Sequence, residues 1–188
     1  MVATNHYLAP KAILGWILAS AITGGAGLGC SSKDSKGQQK KEITQFHRNL
    51  ASVNQEIHKC SKDILEITTE VSSCVAAGKS FDKDAVERAY AAQLKTFESL
   101  RAYLQKFKVP AGETAQNLYD AMVQGVENEE KRLRVNIREW LDIYEDQKLS
   151  PAEKKTKGNA IRERVAAERN ADEAAIKTAR QAFMKEWE

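Results

Sequence analysis

The chain of 188 residues contains three cysteines and three histidines, and these bound the chemistry it can attempt. Cys30 stands at the junction of an apolar and a polar stretch, where a thiol is a nucleophile open to acylation. Cys60 and Cys74 lie far apart on one helical pattern, about 21 Å along a continuous helix, which no disulfide spans. They read as small buried apolar side chains; a bridge to a second copy, or a broken helix that lets them meet, are the alternatives. His6, His47 and His58 form no Glu-x-x-His pair, no His-x-x-x-His and no Cys-x-x-Cys-His, so haem and di-iron chemistry lack their ligands. No Gly-x-Ser-x-Gly elbow, phosphate loop or dinucleotide fingerprint is present. Glu127, Glu129 and Glu130 form the one acidic cluster where carboxylates could share acid–base work. Lys131, Arg132 and Arg134 adjoin them, and the i,i+4 pairs Glu127–Lys131 and Glu130–Arg134 predict a solvated, salt-bridged face instead. No catalytic residue, metal site or cofactor is expected.

The surroundings of Cys30 are more specific. Residues 1–11 carry Lys11 and no acidic side chain, Ala12 to Thr23 is apolar, and Gly24 to Gly29 is a run of small residues with Leu28. A polar run from Ser31 to Lys41 comes next. The apolar core is within the range of a signal-peptide h-region and short of the roughly 20 residues a bilayer span prefers. This arrangement resembles the export signal of a bacterial lipoprotein, in which the cysteine receives a diacylglyceryl group and becomes the first residue of the mature chain. The family pattern wants an aliphatic residue three places before the cysteine, a small one two before and Gly or Ala just before. Gly29 fits, Gly27 stands at the aliphatic place and Leu28 is displaced by one.

The resemblance implies a signal peptide over 1–29, lipid (palmitate) on the sulfur and new amino group of Cys30, and an address in the cell envelope. Ser31 is not the aspartate that retains many such proteins in the inner membrane, which in a diderm bacterium favours the outer one. The same segment also admits an uncleaved anchor, or ordinary cleavage after Ala21 or Ala26. The polar run over 30–41 reads as a flexible tether, and 42–188 as one folded body.

That body has the length of a single domain. All 26 acidic residues and all but one of the 29 basic ones lie beyond Cys30, with signs interspersed. Without a one-signed tract the small positive balance is no footprint for phosphates, and nucleic acid is not an expected partner. Past residue 41 only three glycines and two prolines besides Gly158 interrupt the chain, and few breakers with many charges favour long amphipathic helices.

Ile43, Phe46, Leu50, Val53, Ile57, Cys60, Ile64, Ile67, Val71 and Cys74 alternate spacings of three and four, an unbroken a/d seam. It predicts a first helix from about Glu42 to Ala77, roughly 54 Å long, with His47 beside the seam and His58 in solvent. Gly78 supplies its stop. Asp82 is the expected cap of the second helix, with Phe81 and Val86 spaced as a hydrophobic staple, and the core stripe runs on to Phe107. The third helix is expected from Glu113 or Thr114 to about Lys148, its stripe thinning across the charged stretch 127–134. Ser150, Pro151 and Glu153 form a capping-box start for the fourth, whose stripe runs from Ile161 to Trp187.

Short connections between four such helices predict an all-α, antiparallel up-down four-helix bundle with coiled-coil character. Two functional classes then compete. One is a non-catalytic structural or protein-interaction module anchored through acylated Cys30, docking an envelope protein or pairing with its copy through helix 1. The other is a small-ligand or sensory module, which needs a polar residue pointing inward; Gln93 and Glu129 are the candidates.

Overall fold

The computed structural model describes residues 32–187. They form four helices, α1 (Ser32–Ala76), α2 (Lys83–Leu104), α3 (Glu113–Glu145) and α4 (Pro151–Trp187), and no strand occurs among the described residues.

The punctuation works as its chemistry requires. Gly78 adopts φ 66°, and behind it the Lys79 amide donates to the Cys74 carbonyl (2.8 Å) and the Gly78 amide to Val75 (3.0 Å). This is the Schellman pattern that satisfies the last carbonyls of a helix. Asp82 accepts from the Ala85 amide at 2.9 Å, with Phe81 and Val86 packed on the core beside it. Ser150 and Glu153 cap reciprocally: the Glu153 amide donates to Ser150 Oγ (3.3 Å) and the Ser150 amide to Glu153 Oε2 (2.8 Å). α2 stops three residues before the end of its apolar stripe at Phe107, and α3 stops three residues before its expected end near Lys148. Beyond Leu104 the chain tightens into i→i−3 turns, and after Glu145 the Asp146 carboxylate accepts from the Lys148 amide at 2.8 Å, competing with the helix.

Contacts between elements show that neighbours run antiparallel. Gln93 of α2 donates to Asp63 of α1. Along α2 and α3 the pairs are Lys83–Glu145, Glu87–Arg138, Glu98–Arg134 and Arg101–Glu130. Along α3 and α4 they run from Thr114–Glu186 to Arg164–Asn136 and the Tyr144 carbonyl with Lys154. α3 touches all three other helices and packs most extensively on α4, whereas α2 and α4 do not meet. The cross-section is therefore a rhomb, with α1 and α3 on its short diagonal. The expected seams fill the centre: Leu50, Val53, Phe97, Leu118, Val126, Trp140 and Phe183 are all at most 1 % exposed.

Two expectations need correction. The segment 30–41 is expected to be a flexible tether, yet α1 already begins at Ser32. Its Lys- and Gln-rich sequence has good helix formers, and once the seam has nucleated α1 each further residue adds at little cost. In the seam itself, Ile67 is only half-buried and Thr68 takes the enclosed place at 5 % exposure. The threonine tolerates this because its hydroxyl donates to the Leu65 carbonyl at 3.0 Å.

Candidate functional site

Cys30 and the expected signal peptide lie outside the described residues. The start of α1 is a helical extension, and residues 36–42 are exposed on every side. The ends of the neighbouring helices explain this, because Phe183 of α4 packs on Phe46 and His47, level with the first buried turns of α1.

The acidic cluster is not a solvated face. Glu127 is exposed, but Glu129 and Glu130 are 2 % and 8 % exposed and Arg132 is 6 % exposed. Glu129 accepts a two-point contact from Arg169 of α4 (2.7 and 3.0 Å) and a third bond from Arg132 (3.1 Å). Arg132 in turn reaches Asp172 of α4 at 2.5 Å, whose other oxygen accepts from Asn128 at 2.8 Å. Burial alone would drive the Arg132 guanidinium towards its neutral form, but Asp172 and Glu129 outweigh it and hold its pKa above the ordinary value. Glu130 faces the opposite way, towards Arg134 and Arg101. The carboxylates are thus separated onto two interfaces and each is tied to guanidinium groups, an arrangement for holding helices together. Of the expected pairs, Glu130–Arg134 forms at 2.9 Å.

The signal that marks Glu129 is its phase. Met122, Val126, Glu129, Leu133, Asn136 and Trp140 continue the alternation of three and four through the charged stretch, placing Glu129 and Asn136 on the buried stripe. Gln93, the other inward candidate, is half-buried and bonded to Asp63 at 3.2 Å.

A groove separates α1 from α4. One stretch of about 370 Å³ lies over Leu118 and Met122, and another of about 240 Å³ over Leu133, Ile137 and Trp140; they share Asn170 and Glu173. Polar ties cross it at three levels. Arg180 Nε–H donates to His47 Nε2 (3.1 Å), His58 approaches Glu173 (3.6 Å), and Arg162 donates to the Thr68 carbonyl (2.7 Å) and Ser72 Oγ (2.5 Å). Partial burial, then the Arg180 charge, lower the His47 pKa. Several polar atoms beside this layer are enclosed without a partner: Arg132 Nε, Trp140 Nε1, Arg162 Nε and the Tyr90 hydroxyl. Arg162, Arg169, Asp172 and these orphaned atoms escape sequence reasoning, because an arginine in a charged helix looks solvated until its neighbours are known.

The remaining chemistry-bearing residues stay apart. His47 and His58 lie three turns apart on α1, His58 in solvent as expected. Cys60 is buried at 3 % exposure and Cys74 half-buried, both free; burial, then the nearby carboxylates of Glu56 and Asp63, push the Cys60 thiol up to about 12. Among the described residues no cluster of His, Cys, Asp and Glu could hold a metal ion, and no helix is long and apolar enough to cross a membrane. Compared with known proteins, the chain matches no family model, no curated protein and no solved structure.

Proposed function

We propose that this chain is a lipid-anchored protein of the bacterial cell envelope, with acyl groups on Cys30 and a helical bundle that serves as a non-catalytic interaction module. The observation that carries this reading is the exposed extension of α1, which starts two residues after Cys30. A helix running over 32–42 reaches about 16 Å, so an acylated Cys30 would hold the bundle off the membrane on a stalk rather than on a slack linker. Lys36, Lys40 and Lys41 on that stalk suit a surface of anionic headgroups. The bundle then offers its charged outer faces to an envelope protein, or the stalk of α1 to a second copy. An interchain bridge through Cys60 would require the bundle to open, since that thiol is enclosed. The second reading, a ligand-binding module, is favoured by the α1–α4 groove.

Cys30→Ser tests the anchor. Metabolic labelling with palmitate should be abolished and the protein should leave the detergent phase on phase separation. Unchanged labelling and partitioning would contradict the proposal.

A further inference from the structure

Arg162 is a half-buried cation with no carboxylate in ion-pair reach among the described residues; its Nη2 is held by a carbonyl and a hydroxyl, and its enclosed Nε–H donates to nothing. Trp140, 1 % exposed, likewise encloses an indole N–H without an acceptor. Both line the 240 Å³ stretch of the groove, together with Arg132, whose Nε is also orphaned. The layer therefore has donors in excess and a charge without a counterion, which costs stability when water is excluded. A carboxylate is the group that only accepts, and it suits a planar guanidinium best. Leu133, Ile137 and Val165 form an apolar part of the wall, while Arg169 there is already tied to Glu129, and the groove continues over Leu118 and Met122, a lining for hydrocarbon. One unpaired cation, with Glu173 already at the rim, selects a single negative charge.

We infer that the α1–α4 groove binds a monocarboxylate with an apolar tail, its carboxylate on Arg162 and Trp140 Nε1–H and its tail along Leu133, Ile137 and Val165. Binding would supply the counterion the bundle lacks and draw α1 and α4 together across the groove. This site is independent of whether Cys30 carries lipid.

The full chain in phosphatidylcholine nanodiscs, titrated with octanoate and with neutral octanamide by saturation-transfer NMR against empty nanodiscs, tests the inference. Octanoate should bind saturably and at least about ten-fold more tightly than octanamide, and Arg162→Gln should weaken it by a similar factor. Thermal unfolding run in parallel reports whether that variant is folded. Should it not be, Ala166→Trp carries the test: Ala166 is an exposed residue on the mouth of the groove, and a large side chain there should block uptake. No saturable octanoate binding, which would mean a hydrated layer only, overturns the inference. So does equal binding of octanamide, or octanoate binding unchanged in the folded variants.

Discussion

Glu129 shows how much one side chain decides in this bundle. Enclosed on α3, it is the shared acceptor for Arg132 and Arg169, and truncating it leaves two guanidinium groups facing an interface with too few acceptors. Breaking a buried ion pair costs about 3–5 kcal/mol. Glu129→Ala should therefore lower the urea midpoint and the melting temperature by an amount on the order of 10 °C, while Glu127→Ala, two residues away in solvent, should change stability by less than about 0.5 kcal/mol. Similar losses at both positions would refute the placement of the buried stripe. The cysteines offer a chemical version of the same contrast. A thiol reacts as its thiolate, and Cys60 is both enclosed and pushed up to about 12. A maleimide reagent at pH 8 should label half-buried Cys74 in the native protein and reach Cys60 only after denaturation; equal rates would mean that α1 opens readily.

At the scale of elements, the four helices and their caps are legible in the sequence because each rests on local chemistry: a glycine free to take positive φ, an Asp or Ser oxygen in reach of an amide, apolar side chains at helical spacing. The features that are not legible depend on neighbours. The Lys/Gln-rich run after Cys30 has the composition of a linker, and only its continuity with a nucleated α1 makes it helical. The charged stretch of α3 reads as solvated when charge is weighed before phase; Arg169 and Asp172, which make its burial tolerable, sit some forty residues away. Gly158 is a third case. In α4 it looks like a weak point, but a Cβ there would lie 2.6 Å from the Tyr144 hydroxyl and 2.8 Å from its ring. That ring cannot step aside, being packed against Trp140 (centroids 4.4 Å) and hydrogen-bonded to Ser72 (3.0 Å). Gly158→Ala should thus destabilise the protein by about 1–3 kcal/mol despite alanine's better helix propensity. Gly37, with nothing within 4 Å, should show the opposite sign, and its alanine variant should gain helicity by circular dichroism. Stabilisation by Gly158→Ala would show that the Tyr144 ring does not lie against Gly158 in solution.

For the whole molecule, α1–α4 is a weak seam, because a groove runs between these two helices and polar ties bridge it. Its ties make that seam sensitive to pH. His47 accepts from Arg180 through Nε2 (3.1 Å) and stacks on Phe183 (centroids 5.9 Å), so only the neutral ring, with its proton on Nδ1, suits the folded state. Its folded pKa lies below the ordinary 6.5 because of burial and then the Arg180 charge. The unfolded chain consequently takes up this proton first as the solution is acidified. The contribution of His47 is present in full above pH 6.5, and it is lost as the pH falls through that value towards the lower folded pKa. The urea midpoint should therefore decline from about pH 7.5 to about pH 5.5, before the carboxylates begin to titrate. His47→Gln offers Arg180 an amide oxygen in place of the ring nitrogen and removes the titration, so its midpoint should fall less over the same range. A wild-type midpoint that holds constant, or a glutamine variant with the same slope, would mean that the Arg180–His47 tie does not hold α4 to α1 in solution.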